Sequence, residues 1–171
     1  MRHSTIFIAF LLKKFYLAFA KVLHSTIYLL LLHSGSTKFL GQRLIWKTWA
    51  PLRVKIFLWL AFRRRHWTAD CRARHGLARE QCYLCDQATE TIDHIIACCP
   101  YTREVWHHIC QALGRQLPPA TPTIHTFWRQ LRSLWTGQQQ QGFDILFALV
   151  SWTIWKERNA RCFQDASATV G

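Results

Sequence analysis

The chain has 171 residues, of which half are hydrophobic and 14% are aromatic, and it carries 22 lysines and arginines against nine acidic residues. Its length fits one ordinary domain, or a small domain with an appendage. The aromatic content excludes global disorder, and the net charge of +13 indicates a polyanionic partner or an anionic surface.

The positive charge lies before residue 80. Residues 42–79 carry ten basic residues against Asp70 alone, whereas residues 80–171 carry seven basic and eight acidic residues. An ordinary solvated basic face is one interpretation, but the stretches "FRRRHW" and "CRARHGLAR" alternate cations with aromatic and apolar groups, which makes nucleic-acid contact an equal alternative. Six arginines are therefore predicted to contact phosphates without reading sequence: Arg63, Arg64, Arg65, Arg72, Arg74 and Arg79.

The N-terminal 35 residues form an apolar leader of uncertain status. Its two apolar runs, 6–12 and 22–32, are separated by Lys13, Lys14 and Lys21, and each is shorter than the ~20 residues that a transmembrane helix needs. An alternative is that residues 5–32 insert into or lie on a membrane, with Lys13, Lys14 and Lys21 at anionic headgroups.

The rest of the chain has helical spacing, and no alternating strand pattern is seen. Pro51 is placed to open a helix whose apolar face would contain Val54, Phe57, Leu58 and Ala61. Further helices are predicted from Thr68 to Gly76, from Thr102 to Gly114, over 124–135, and from about Phe143 to Phe163. Five aromatic residues are predicted to be core rather than stacking platforms: Trp46, Trp49, Phe57, Trp59 and Trp106.

Residues 82–99 contain a metal-ligand pattern, C-x2-C-x8-H-x4-C, formed by Cys82, Cys85, His94 and Cys99. A C-x2-C turn can direct both thiolates at one ion, and four such ligands predict a closed, structural zinc (Zn2+) site. Cys98 fits the spacing as well, although Pro100 directly after Cys99 favours Cys99 as the fourth ligand. The alternative is that the cysteines are small buried hydrophobes and His94 a core histidine.

These residues resemble the reverse-transcriptase zinc-binding domain of plant non-LTR retrotransposon polyproteins. The resemblance covers about residues 36–163 and rests on three groups of matched positions. These are Pro51, Lys55, Phe57 and Trp59; then Cys82, Cys85, Glu90, His94, Cys99, Pro100, Val105 and Trp106; and last Trp152, Trp155, Arg158 and Asn159. The resemblance implies that Cys99 is the fourth ligand of a CCHC zinc knuckle and that the module grips RNA or DNA.

The predicted fold is mostly α, a small helical domain around one zinc knuckle followed by C-terminal helices. The predicted segments are a zinc-binding domain at 36–114, a Pro-rich linker at 115–123 and a helical segment at 124–171. Polymerase chemistry is not expected, because the nine acids are all isolated in sequence and no phosphate-cradling glycine loop is present.

The predicted function is a non-catalytic zinc-binding module that binds nucleic acid in the nucleus or cytoplasm. Clustered thiols favour these reducing compartments over a secretory one. Besides the membrane-associated alternative, a second alternative is that the zinc module is a scaffold for protein partners, with Trp152 and Trp155 lining a groove between helices. A product without selected function is a further alternative.

Overall fold

A computed structural model describes residues 41–76 and 80–163, so the predictions for residues 1–35 and for Arg79 lie outside the described residues. The described part is helical and contains no β-strand, which confirms the mostly α fold class. The helices are α1 Gln42–Lys47, α2 Leu52–Phe62, α3 Ala69–Arg74, the π-helix π1 His94–Cys98, α4 Pro100–Ala112, α5 Ile124–Ser133 and α6 Gln138–Phe163. No described helix is both long enough and apolar enough to cross a bilayer.

Helix α2 forms where its apolar spacing predicts it. Its predicted face, Val54, Phe57, Leu58 and Ala61, is buried. The helix ends through Arg64, whose positive φ of 52° lets Arg65 donate a 3.0 Å hydrogen bond back to the Leu60 carbonyl. This reversal sends the basic segment after α2 across the protein surface.

Two predicted helix starts are wrong. Helix α4 begins at Pro100, two residues before Thr102, because proline suits the first helical position. The buried Thr102 hydroxyl instead donates to the Ile95 carbonyl. Helix α6 begins at Gln138 rather than near Phe143, since glutamine is a good helix former and only the turn before it breaks the helix.

The aromatic core lies mainly between α4, α5 and α6. Trp106 and Trp128 both stack on Phe147, with ring centroids 5.5 and 4.7 Å apart. Among the five predicted core aromatics, Phe57, Trp59 and Trp106 are buried and Trp46 is half-buried.

The prediction for Trp49 is wrong, because its side chain is 85% exposed. Trp49 lies between buried Thr48 and Ala50 in the connection between α1 and α2. Thr48 is extended, and successive side chains of an extended chain point in opposite directions, so burial of the two neighbours turns the indole outward.

One hydrophobic core joins the knuckle, residues 80–99, to the C-terminal helices. Its buried members include Cys82 and Ile95 near the predicted metal site and Phe147 and Trp155 on α6. Helix α6 packs along α2 and against π1. The predicted segments 36–114 and 124–171 therefore share one core across their described residues.

Candidate metal centre

The first two predicted ligands lie in a narrow loop closed by backbone hydrogen bonds. The Glu90 amide donates to the Glu80 carbonyl at 2.8 Å, and the Cys82 amide donates to the Ala88 carbonyl at 2.9 Å. An isolated antiparallel bridge pairs Gln81 with Thr89. These bonds fix the base of the loop, so its tip can hold a tight turn.

The tight turn itself spans Cys82 to Asp86. The Asp86 amide donates to the Cys82 carbonyl at 2.9 Å, and Asp86 adopts a positive φ of 57°, which aspartate tolerates better than most residues. The Leu84 amide donates to the Cys82 sulfur at 3.4 Å. A sulfur that accepts a backbone N–H is better stabilised as a thiolate, the form that binds metal.

The other two predicted ligands lie at the two ends of π1. The Thr91 hydroxyl oxygen accepts the His94 amide at 3.0 Å and so caps this turn. The Cys99 amide then donates to the His94 carbonyl at 2.7 Å, the five-residue spacing of a π-helix. In an α-helix, residues five apart point about 140° away from each other. The π-helix therefore explains how an H-x4-C spacing directs both side chains to one point.

The ligand atoms of Cys82, Cys85, His94 and Cys99 all lie within 4.8 Å of one another. The Cys82 and Cys99 sulfurs are 4.0 Å apart, and the Cys85 sulfur is 3.3 Å from His94 Nε2. A tetrahedron with zinc–sulfur bonds of about 2.3 Å has edges of about 3.8 Å. Three thiols and one imidazole at these separations fit zinc in type and in geometry.

Cys98 takes a different direction from Cys99. Its thiol donates to the Thr121 carbonyl at 3.1 Å, in the segment that leads to α5. Burial raises the pKa of the Cys98 thiol, so deprotonation is disfavoured there. Of the two adjacent cysteines, the structure brings Cys99 into the cluster.

The Cys82 and Cys99 thiols form an unequal pair. The hydrogen bond with Cys99, together with burial, raises the pKa of Cys82 to about 12. The same hydrogen bond lowers the pKa of Cys99, and the backbone amides of Thr102 and Tyr101 at the start of α4 lower it further. Cys99 is thus the thiol of this pair that more readily becomes a thiolate.

The predicted phosphate-binding arginines that the structure describes have different surroundings. Arg63 lies over the Trp59 ring, and Arg72 reaches the Cys162 sulfur at 2.6 Å. Arg64 and Arg74 are 70% exposed and pair with Asp93 and Asp70 at 2.9 and 3.2 Å. Arg65 is exposed, and Arg79 lies outside the described residues.

Trp67 is a surface residue that the sequence analysis did not single out. Its side chain is 46% exposed, and its ring lies 5.0 Å from the ring of exposed His75. Arg65, two residues before Trp67, and Arg74, directly before His75, are also exposed. The stretches "RRRHW" and "RARH" show in the sequence that basic residues lie here. Only the structure of the turn after α2 shows that the Trp67 indole is exposed to solvent.

Comparisons with known proteins agree with this geometry. Residues 24–106 match the family described as zinc-binding in reverse transcriptase. A putative ribonuclease H protein of Arabidopsis thaliana is 27% identical over 122 residues, which cover 71% of this chain and 20% of the relative. The chain thus spans about a fifth of that relative's length.

No solved structure matches the chain significantly. The family match contains all four clustered ligands, and the family is a zinc-binding rather than a catalytic domain. The chain therefore carries a reverse-transcriptase zinc-binding domain similar to that of retrotransposon-derived proteins.

Proposed function

We propose that the protein is a non-catalytic zinc-binding module that binds nucleic acid through the surface after α2. The observation that carries the nucleic-acid part is a half-exposed indole, Trp67, beside exposed cationic side chains in the most basic segment of the chain. The four convergent ligands, Cys82, Cys85, His94 and Cys99, carry the zinc part.

Zinc in this site has a structural role. Three cysteines and one histidine complete a tetrahedral shell and leave no open position for water or substrate. Since such sites release binding energy only when their ligands are brought together, zinc binding contributes directly to folding. The module therefore needs zinc to keep its shape and performs no reaction with it.

The nucleic-acid surface combines the two interactions that single strands offer. Exposed Arg65 attracts phosphates, and the exposed ion pairs of Arg64 and Arg74 are weak enough to exchange a carboxylate for a phosphate. Trp67 and His75 present ring surface on which unpaired bases stack. We name Arg64, Arg65, Trp67, Arg74 and His75 the basic surface.

The names of the similar proteins point to the same class of partner. The matched family is named for reverse transcriptase, and the Arabidopsis relative is named as a ribonuclease H. Both printed names concern enzymes of nucleic acids. We propose accordingly a location in the nucleus or cytoplasm, where cysteine ligands stay reduced.

The test is salt-dependent binding of the full chain to a fluorescent single-stranded oligonucleotide, with zinc present. The logarithm of the binding constant should fall with the logarithm of salt concentration by about 0.7 for each phosphate contact. Arg65→Gln and Arg74→Gln together should make this slope shallower. Trp67→Ala should weaken binding by about 1–3 kcal/mol and leave the slope unchanged.

Two matched controls change the same residue types elsewhere. Arg129 is exposed on α5, and Trp49 is exposed between α1 and α2. Arg129→Gln and Trp49→Ala should leave binding as it is in the unchanged chain. Equal losses from Trp67→Ala and Trp49→Ala, or a slope that no arginine change alters, would refute the basic surface as the binding site.

No observation on the described residues favours the protein-scaffold alternative. Trp155 is buried with its ring 4.6 Å from His66, and Trp152 packs edge-on against Phe57. Trp155 is therefore buried rather than exposed in a groove, whereas Trp152 is half-buried. The described residues give the membrane alternative no support either, since its segment 5–32 lies outside them.

A further inference from the structure

We infer that the C-terminal end of α6 supports the metal site directly, so that the zinc-binding unit extends from the knuckle to about residue 163. This inference rests on the zinc binding proposed above. It goes beyond the family match, which ends at residue 106 and contains no part of α6. Two arginines of α6, Arg158 and Arg161, carry it.

The first connection runs from Arg158 through Glu90 to the turn between the two cysteines. Both side chains are fully buried, and Arg158 donates to Glu90 Oε1 through Nε at 2.9 Å and through Nη2. The other oxygen, Glu90 Oε2, accepts the backbone amide of Tyr83 at 3.0 Å. Tyr83 is the residue directly after Cys82, so Glu90 fixes the backbone that directs the first thiol.

The Glu90 carboxylate also holds the surrounding helices in place. Its Oε1 accepts the Ala69 amide, the first residue of α3, at 2.7 Å. The Arg158 guanidinium lies over the Tyr83 ring, with its central carbon 5.2 Å from the ring centroid. One buried ion pair therefore joins α3, the knuckle and α6, although Glu90 and Arg158 are 68 residues apart in sequence.

The second connection runs from Arg161 to the next residue of the same turn. Its Nη1 donates to the carbonyl oxygen of Leu84 at 3.3 Å, and Leu84 directly precedes Cys85. Its guanidinium lies over the ring of Tyr101, 4.8 Å from the centroid, at the start of α4. The two arginines thus reach the two residues between the first pair of ligands. Arg158 lies over the Tyr83 ring and is joined to the Tyr83 amide through Glu90, and Arg161 donates to the Leu84 carbonyl.

The charges also favour this arrangement. Three thiolates around Zn2+ leave the centre with one net negative charge, and Arg161 places a guanidinium at the turn that carries two of those thiolates. Arg158 and Glu90 neutralise each other, and removal of one partner leaves the other charged and buried. We therefore expect the Arg158–Glu90 pair to keep α6 attached to the knuckle. Groups that contact the ligands of a metal site commonly support metal binding in this way.

The test measures metal affinity of the full chain with Co2+ as an optical probe and with Zn2+ in competition against a chelator. Arg161→Met and Arg158→Met should each weaken metal binding by roughly 10–100-fold. The matched control is Arg132→Met, which breaks an ion pair of α5 with Asp144 on α6. The Arg132 side chain is 28% exposed and that of Arg161 is 35% exposed, so the two changes remove cations of similar accessibility.

The Co2+ absorption spectrum separates a role at the metal from a general loss of stability. Arg161→Met and Glu90→Gln should shift the Co2+ bands, since the turn that directs the thiolates is altered, whereas Arg132→Met should leave them in place. Addition of a chelator to the unchanged chain should increase amide exchange at residues 157–163 more than in α5. A second arginine change, Arg161→Lys, should restore part of the affinity through its remaining positive charge.

Three results would overturn the inference or its basis, and they are distinguishable. Unchanged Co2+ affinity and spectrum in Arg161→Met, in a chain as helical as the control, would show that α6 does not support the site. Equal amide exchange in α5 and residues 157–163 after chelation would show that the two regions are uncoupled. An unchanged chain that binds no Co2+ or Zn2+ would refute the proposed zinc site itself. If Arg158→Met does not fold, the metal affinity of Arg161→Met and the amide-exchange comparison still test whether α6 supports the metal site.

Discussion

The knuckle at residues 80–99 and the aromatic cluster between α4, α5 and α6 are stabilised by different interactions. In the aromatic cluster, large rings such as Trp106, Trp128 and Phe147 stack on one another and exclude water. In the knuckle, a short loop depends on backbone hydrogen bonds, on the buried Glu90 carboxylate and on four ligands that point at one another.

This difference predicts different responses to metal and to mutation. The aromatic cluster carries its own burial free energy, because each ring removes a large apolar area from water. The knuckle has a histidine and three cysteines at its centre, and without an ion these groups gain only weak thiol hydrogen bonds. Metal binding should therefore determine the structure of the knuckle. It should affect the aromatic cluster through the packing contacts between the two regions.

The largest expected effect comes from removal of a metal ligand. Cys99→Ser should eliminate stoichiometric zinc and with it a binding free energy of order 10–16 kcal/mol, the range for structural zinc sites. Measurement of zinc content and of helical signal by circular dichroism checks this. The signal should fall only in part, because α4, α5 and α6 keep their aromatic contacts.

The adjacent cysteine supplies the matched control. Cys98→Ser should retain zinc, since the Cys98 thiol bonds to the Thr121 carbonyl rather than to the cluster. Zinc loss in Cys98→Ser with retention in Cys99→Ser would reverse the assignment of the fourth ligand. Complete unfolding of both variants would instead show that the aromatic cluster does not hold itself together.

The next largest effect is expected in the aromatic cluster. Phe147→Ala removes a fully buried ring that contacts two tryptophans, and the change should cost about 3–5 kcal/mol of unfolding free energy. Denaturant titration of the zinc-loaded chain measures it. The variant should still bind zinc under native conditions, and Trp49→Ala, at an exposed indole, should stay within about 0.5 kcal/mol.

The same contrast explains how much the sequence predicts. The ligand set is local, since four residues within one short segment carry recognisable spacing, and the apolar faces of α2 and α5 follow the helical period. The pairing of Glu90 with Arg158 has no local signal, because the two residues meet only after α6 packs along α2. The π-helix is also invisible to a period of 3.6 residues, although the H-x4-C spacing depends on it.

Exposure of surface aromatics was the least predictable feature. Trp49 and Trp67 lie in segments with the same mixture of cations and rings as the buried Trp59. Their exposure is decided by the connections around α2, where an extended residue and a left-handed residue set the side-chain directions. A helical pattern specifies the faces of helices and leaves such connections undetermined.

A smaller effect is expected at the joint between the two regions. Asp93 Oδ1 accepts the Ile124 amide at the start of α5, and Oδ2 accepts Arg64 Nε, each at 2.9 Å. Asp93→Ala should lower the unfolding free energy by about 1 kcal/mol through loss of the cap. Asp93→Asn keeps an oxygen for the amide and should cost less, because the exposed pair with Arg64 contributes little. Equal losses of unfolding free energy in Asp93→Ala and Asp93→Asn would show that the Asp93 charge, and not its hydrogen bond to the Ile124 amide, stabilises this joint.

The smallest expected effect is a pH dependence at His66, which packs between Phe57 and Trp155 and bonds to the Phe57 carbonyl at 2.9 Å. Burial lowers the pKa of His66 below 6.5, the nearby Arg158 charge lowers it further, and the bond to Phe57 opposes both. As pH falls through about 6.5, His66 is protonated in the unfolded chain before it is protonated in the folded chain. The contribution of neutral, buried His66 to the unfolding free energy is therefore complete above that pH and declines below it. His66→Gln keeps a hydrogen-bond donor without titrating, and its unfolding free energy should fall less than that of the unchanged chain as pH drops. Because both chains lose zinc alike on acidification, the difference between them isolates His66.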